Sequence, residues 1–323
     1  MAAPIVAGAF RWAIAQAEVF AGATAPNPPV GCVVLAANGE ILACEAHHRA
    51  GSSHAEAAAL EACRRTGIAD RIHTIVVTLE PCNHQGRTPP CTDAILATPA
   101  KAVWIGARDP NPKVRGGGAA RLASRGLAVA FLDALDHSDA PSLAHAARRL
   151  IAPFRTWSQT GRPWLTLKQA VAADGGMIPP AGRKTFTSHE SLVVAHRLRR
   201  RADAIITGSG TVLADDPAFT VRHVPDHARK RRTLAILDRR GRTPPAYIKA
   251  AEACGFDVRI RNDIRALLAE LGDEGVLEAL VEAGPIVLST FLDEDLWDEL
   301  VVIRQSPIAG EPDAVTVLKR QPI

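Results

Sequence analysis

The chain has 323 residues, 47% of them hydrophobic and 22% charged, which gives room for two ordinary domains and carries no mark of disorder or of a disulfide scaffold. Its 38 basic side chains exceed the 34 acidic ones by only four, and neither half concentrates the excess, so a nucleic-acid-binding surface is excluded. No stretch approaches the roughly 18 apolar residues of a membrane helix, and the Ala-rich start from Met1 to Phe20 lacks a cleavage-site pattern, which predicts a cytoplasmic protein without a membrane partner.

Apolar side chains at helical spacing over 9–21 predict a helix, and the β-branched run Val30 to Leu35, turned at Asn38-Gly39 and resumed at Ile41-Leu42, predicts a hairpin. Ser52-Ser53 reads as the N-cap of a helix over 54–65, followed by the strand Thr74 to Leu79 and a Gly/Pro-rich loop. A helix from near Pro90 to Leu96, the strand Val103 to Gly106, a helix over 117–125 and the strand Ala128 to Leu132 complete an alternating α/β unit. One bridging helix over 142–152, interrupted by Pro153 and ended by Gly161-Arg162-Pro163, sets the expected organisation: a domain over 1–150, a linker over 151–163 and a second domain over 164–323. Alternation then restarts with the strand Trp164 to Val171, a helix over 189–201, strands at 204–207, 234–237 and 257–260, a helix over 263–271, a strand at 277–281, a helix over 285–292 and a strand at 299–303. The basic runs at Arg197 with Arg199 to Arg201, and at Arg229 to Arg232, read as a solvated helix face and a loop.

The strongest chemical signal is His54-Ala55-Glu56, then Pro81-Cys82, then Cys91. One His and two Cys suit zinc and leave a tetrahedral ion one open position, the mark of a catalytic rather than a structural site. Glu56, two residues after His54, is placed to move a proton without ligating the metal. This is the pattern of zinc deaminases of nucleobases. A structural zinc knot needs a fourth ligand, and His84 is the candidate for it. Cys32 and Cys63 read as small core residues, while Cys44 and Cys254 carry no pattern.

Eight residues, Asn83 to Pro90, separate the two cysteines, where the generic deaminase has about two. With Thr78-Leu79-Glu80-Pro81-Cys82 before them, Pro26-Asn27-Pro28-Pro29-Val30-Gly31-Cys32 earlier and Asp109-Pro110-Asn111-Pro112 later, the chain closely resembles the bifunctional riboflavin-biosynthesis deaminase/reductases. That resemblance implies a cytidine-deaminase-like N-terminal domain followed by a dihydrofolate-reductase-like α/β domain. It further implies zinc-dependent deamination of 2,5-diamino-6-ribosylamino-4(3H)-pyrimidinone 5′-phosphate, then reduction of the ribosyl group to ribityl with NADPH.

By the same resemblance His54, Cys82 and Cys91 hold Zn2+, Glu56 is the catalytic proton carrier, and Asn27, His47, Arg87, Asp109 and Asn111 contact the pyrimidine substrate. In the second domain the match centres on Gly208 to Pro217, Thr220-Val221-Arg222 and Val281 to Pro285. It implies substrate contacts at Lys184, Arg199, Phe219, Arg222 and Glu282. It implies NADPH contacts at Ala170, Phe186, Thr211, Asp215, Gly284, Pro285, Ile286, Val287, Leu288, Ser289 and Thr290, with the last seven at a strand-to-helix turn. Ala172-Ala173-Asp174-Gly175-Gly176 and Gly182-Arg183-Lys184-Thr185-Phe186 depart from the family's turns, and the 13 residues after Gly310 predict closing strands that are short or absent. The substrate is a small phosphorylated pyrimidine, and a homo-oligomer is expected. The competing readings are a deaminase whose reductase-like half is degenerate, a deaminase of free nucleosides or tRNA, and a zinc-stabilised binding protein.

Overall fold

A computed structural model of the chain describes residues 1–84, 89–111, 117–177, 185–308 and 311–320. The chain divides into two compact units, Met1–Thr160 and Gly161–Ile323. Among the described residues no helix is long and apolar enough to cross a membrane.

The first unit runs α1 (Ala3–Val19), β1 (Gly31–Leu35), β2 (Ile41–Ala46), α2 (Ala55–Arg65), β3 (Thr74–Val77), α3 (Cys91–Leu96), β4 (Ala102–Ile105), α4 (Gly117–Ser124), β5 (Ala128–Phe131), α5 (Ala140–Leu150) and α6 (Ala152–Thr160). Its sheet has the order β2-β1-β3-β4-β5, antiparallel through β2, β1 and β3 and parallel from β3 to β5. Successive side chains of β1 point to opposite faces. Val33 and Leu35 therefore meet α1 and α5 through Phe10, Ile14 and Leu143, while Cys32 and Val34 meet α2 and α3 through Leu60, Cys63 and Ile95. Cys32 and Cys63 are thus core residues, as their apolar positions predict. Gly31 is required here, because a Cβ would fall 1.9 Å from the Ala13 carbonyl oxygen of α1.

Three local expectations change in this unit. Helix α1 begins at Ala3, since Pro4 is suited to the first turn and Val6, Phe10, Ala13 and Ala17 continue one buried stripe. The N-cap of α2 is His54 and neither expected serine: its backbone is extended and no side chain caps the helix, while the Ser52 hydroxyl donates to the Arg49 carbonyl. The expected bridging helix is two helices, α5 and α6, the second lying within residues 151–163 with Pro153 in its first turn, where a missing N–H costs nothing.

The second unit runs β6 (Trp164–Val171), α7 (His189–Arg201), β7 (Ala204–Gly208), α8 (Ser209–Asp215), β8 (Arg232–Leu237), α9 (Pro245–Ala253), β9 (Phe256–Arg261), α10 (Ile264–Asp273), β10 (Glu278–Val281), α11 (Pro285–Asp293), β11 (Glu299–Arg304) and β12 (Ala314–Lys319). The strand order is β12-β11-β6-β10-β7-β8-β9, parallel except for β12. Alternate strand residues again serve two cores. Ala204 and Ile206 pack on α10 and α11 through Leu267, Leu271 and Phe291; Ile205, Leu234 and Ile236 pack on Val212, Phe219 and Tyr247. The closing strand predicted to be short or absent is present, and all six residues of β12 pair with β11. The basic runs are a solvated face only in part: Arg197, Arg229 and Arg231 are exposed, whereas Arg199 pairs with Glu282, Arg201 with the buried Glu278 and Glu299, Lys230 with Asp203 and Arg232 with Asp226.

Candidate active sites of a deaminase and a reductase

In the first unit three chain segments converge. His54 ends the loop before α2, Cys82 follows β3, and Cys91 opens α3. The His54 Nδ1 lies 3.6 Å from Cys82 Sγ and 3.3 Å from Cys91 Sγ, and all three ligand atoms lie within 4.8 Å of one another. A tetrahedral zinc with bonds of about 2.3 Å to sulfur and about 2.0 Å to nitrogen sets N···S edges of about 3.5 Å, so these residues fit the ion. His84 does not join this cluster, which removes the fourth ligand of a structural knot among the described residues.

The electrostatics suit a cation. The hydrogen bond from Cys91, aided by His54, holds the Cys82 thiol down at about 4, while the same bond and burial push Cys91 up. The Cys91 N–H, at the amino end of α3, donates to Cys82 Sγ at 3.3 Å. Glu56, in the first turn of α2, is 3% exposed, and its carboxyl hydrogen-bonds the Cys91 thiol. Burial raises this carboxyl above its ordinary value, offset in part by its own backbone N–H and by His54.

Around the cluster, the Ser53 carbonyl accepts from His47 Nδ1 at 3.0 Å, so His47 Nε2 is left to accept from Asn27 Nδ2 at 3.3 Å. Burial lowers the His47 imidazole below its usual value and keeps it neutral. Its ring meets that of His54 edge-on at 5.4 Å. Asp109 makes a turn, accepting from the Asn111 N–H at 2.8 Å, and burial raises its carboxyl. Buried Glu80 braces this corner by accepting from the N–H of Ala119 at 3.0 Å and, more loosely, of Asp109 at 3.4 Å. Arg87 lies outside the described residues.

In the second unit a cleft of about 1160 Å³ opens at the carboxyl ends of the parallel strands. Of the expected residues, Ala170, Phe186, Arg199, Thr211, Asp215, Phe219, Arg222, Glu282, Gly284, Pro285, Ile286, Val287 and Thr290 line it. Leu288 instead packs in the core, and Ser289, whose hydroxyl donates to the Ile286 carbonyl, does not line the cleft. Lys184 lies outside the described residues. Glu282 accepts two hydrogen bonds from Arg199, each 2.8 Å, and one from Lys168 Nζ at 2.9 Å. Burial alone would raise the Glu282 carboxyl, but Lys168 and Arg199 outweigh it and hold it far below the carboxylate range.

Phe219 is 2% exposed with a left-handed φ of 51°, and the Arg199 guanidinium carbon sits 5.7 Å from its ring centroid. The Thr211 hydroxyl accepts from the Gly284 N–H at 2.9 Å, tying α8 to the start of α11. Sequence reasoning missed Lys168, whose only signal is a charged residue following the buried Leu165 to Leu167 of β6, and His196. The latter accepts the Arg222 N–H at Nδ1 and meets His223 edge-on; burial, then Arg199, lowers it to about 4.

Comparison with known proteins agrees with both sites. The family model described as the cytidine and deoxycytidylate deaminase zinc-binding region matches residues 9–107, and that of the RibD C-terminal domain matches 163–323. The riboflavin biosynthesis protein RibD of Aquifex aeolicus is 36% identical over 93% of this chain and 87% of its own length. The chain belongs to the RibD family. RibD of Escherichia coli is 34% identical, over 89% of this chain and 84% of its own. A solved RibD structure from Acinetobacter baumannii matches with a TM-score of 0.78 and 30% identity, covering 96% of this chain and 89% of that one. A Thermotoga maritima structure, described as a diaminohydroxyphosphoribosylaminopyrimidine deaminase/5-amino-6-(5-phosphoribosylamino)uracil reductase, matches with a TM-score of 0.79 and 28% identity over the same shares. RibD membership makes this chain a riboflavin-biosynthesis enzyme with a zinc-binding deaminase domain and a reductase domain acting in one pathway.

Proposed function

We propose that the first unit deaminates 2,5-diamino-6-ribosylamino-4(3H)-pyrimidinone 5′-phosphate and that the second reduces the ribosyl group of the product with NADPH. The convergence of His54, Cys82 and Cys91 beside a buried Glu56 carries the deaminase assignment. Zinc, when bound by these three residues, supplies the Lewis acidity that activates water. Glu56 takes the proton of that water on its carboxylate and returns it to the departing ammonia, and its raised affinity for protons suits both transfers. Asn27 donates to His47, which leaves its Oδ1 to accept from the pyrimidine edge. Asp109 and Asn111 face the same edge, and Arg87 takes the phosphate.

In the reductase cleft NADPH supplies the hydride. Ala170, Phe186, Thr211 and Asp215 flank it, and the turn from Gly284 to Thr290 presents the amino end of α11 to its diphosphate. Glu282 holds Arg199 at the substrate side, where Phe219 and Lys184 also contact the substrate and Arg222 meets its phosphate. A homo-oligomer is part of this reading, supported by the exposed apolar residues Val315, Val317 and Leu318 on edge strand β12.

A Glu56→Ala substitution tests the deaminase half: zinc is retained and ammonia release falls by about 10²- to 10⁴-fold, whereas unchanged deamination refutes the proton transfer. Zinc content after Cys91→Ser should drop, and full occupancy would mean that the ligands are misassigned. For the reductase half, NADPH oxidation on the deaminated product is decisive; without it the deaminase-only reading takes over.

A further inference from the structure

We propose that His196 is a positioning residue of the reductase: by accepting the Arg222 N–H it fixes the backbone from which the Arg222 guanidinium reaches the substrate phosphate. The inference rests on the reading above, in which Arg222 meets that phosphate, and adds the part that aims it. Arg222 lies within residues 216–231, a stretch between α8 and β8 with neither helix nor strand. Among the described residues, 217–225 make no backbone-to-backbone hydrogen bond. A cation carried on such a stretch pays ordering entropy whenever it grips a ligand, unless side chains hold its backbone in advance.

Side chains do hold it. The Tyr247 hydroxyl donates to the Pro217 carbonyl at 2.6 Å, Arg199 Nη1 to that of Thr220 at 3.3 Å and Arg200 Nε to that of Pro225 at 3.0 Å. All three are donors. Among the described residues His196 supplies the one side-chain acceptor for an N–H of this stretch, taking that of Arg222 on Nδ1 at 2.9 Å. His196 and Arg199 stand three residues apart on α7 and share one of its faces. That face therefore grips the stretch twice, at the carbonyl of Thr220 and at the N–H of Arg222. Just before the grip, Phe219 keeps its left-handed φ of 51°, a conformation that a bulky residue holds only where its surroundings impose it.

The imidazole suits an acceptor. It is 2% exposed, and burial, then Arg199, His223 and Arg222, disfavour its charged form against the opposing pull of Glu282. A neutral ring that accepts at Nδ1 carries its proton on Nε2. Its edge-on contact with the His223 ring, 4.6 Å between centroids, extends the hold one residue past Arg222. The Arg222 side chain stays available to a ligand: it is exposed, lines the cleft and, among the described residues, meets only the Thr220 hydroxyl, at 2.6 Å.

The test uses the full chain loaded with zinc, at saturating NADPH, on the deaminated product and on the same compound stripped of its phosphate. His196→Leu removes the acceptor, His196→Asn keeps one at the δ position, and Arg222→Ala removes the guanidinium. With the phosphorylated substrate His196→Leu should raise KM about tenfold and hold kcat within about threefold. His196→Asn should return KM to within about threefold of wild type. With the phosphate-free compound His196→Leu should change KM by less than about twofold, and in an Arg222→Ala background it should add nothing. An equal rise in KM on both compounds marks a general packing role and overturns the inference. A fall in kcat alone, or an Asn variant no better than Leu, overturns it too. If His196→Leu does not fold, hydrogen exchange of the wild-type chain decides: a protected Arg222 amide supports the bond, and exchange at the rate of an open loop overturns it. If Arg222→Ala leaves KM unchanged, or the wild-type chain does not oxidise NADPH, the underlying reading falls and this inference falls with it.

Discussion

Among the described residues Glu282 is the one carboxylate that Lys168 and Arg199 pair with, so the logic of a buried charge triad applies directly. Removing one member strands the others. Glu282→Gln should destabilise the second unit by about 3–5 kcal/mol, read as a shift in the denaturant midpoint, and abolish ribosyl reduction. Because its folded carboxyl binds protons less well than the unfolded one, Glu282 contributes fully above about pH 4.3 and loses that contribution as pH falls further. His196 acts in a higher window. Its folded imidazole titrates at about 4, below the unfolded value of about 6.5, so the unfolded chain takes up a proton first as pH falls. Stability should therefore decline between about pH 6.5 and pH 4. A melting-temperature profile of His196→Asn, compared with wild type, should show a shallower slope over that interval; identical profiles would rule out His196 as the titrating group.

At the scale of elements, the metal corner depends on how closely α4 approaches the loop that follows β3. A Cβ on Gly118 would lie 1.9 Å from the Pro81 carbonyl oxygen, next to Cys82. Gly118→Ala should push the loop and its ligand apart, lowering zinc content together with the thermal stability of the first unit. A substitution at Ser188, whose hydroxyl accepts from the Ser191 N–H to cap α7, should cost about 1 kcal/mol without altering the zinc. Most elements were legible because their apolar periods were clean: β6 and α7 begin and end where alternation and helical spacing predict. Four were not. Helix α6 begins directly after α5 and reads as one helix with it; α8 is seven residues, with Gly208 before it and Gly210 inside it, and reads as a turn; α9 opens on two prolines; β12 exposes every residue and has no buried face to show a period. In the site, His54, Glu56, Cys82 and Cys91 were legible because metal chemistry fixes both residue type and spacing. The pairing of Arg199 with Glu282 spans 83 residues and no local pattern encodes it. For the same reason the turn at Asp109 is legible from the prolines at 110 and 112, while its brace from Glu80, 29 residues away, is not.

Across the whole molecule, the two cores of the first unit and the two of the second share no residue. Residues 1–160 expressed alone should therefore fold and retain zinc, as measured by metal content and a cooperative melt, and residues 161–323 should fold separately. A piece that stays unfolded would show that its core needs the other half. The strand order of the second unit has a further consequence. Its first strand, β6, lies inside the sheet between β10 and β11, and Thr166 reaches Glu278 and Glu299 across 112 and 133 residues. The first unit can complete its sheet while the ribosome is still extending the chain, but β6 must wait for almost all of the second to emerge. Its apolar edges stay uncovered during that interval, so newly made chains should meet chaperones or aggregate through the second half, at a rate set by topology rather than by final stability.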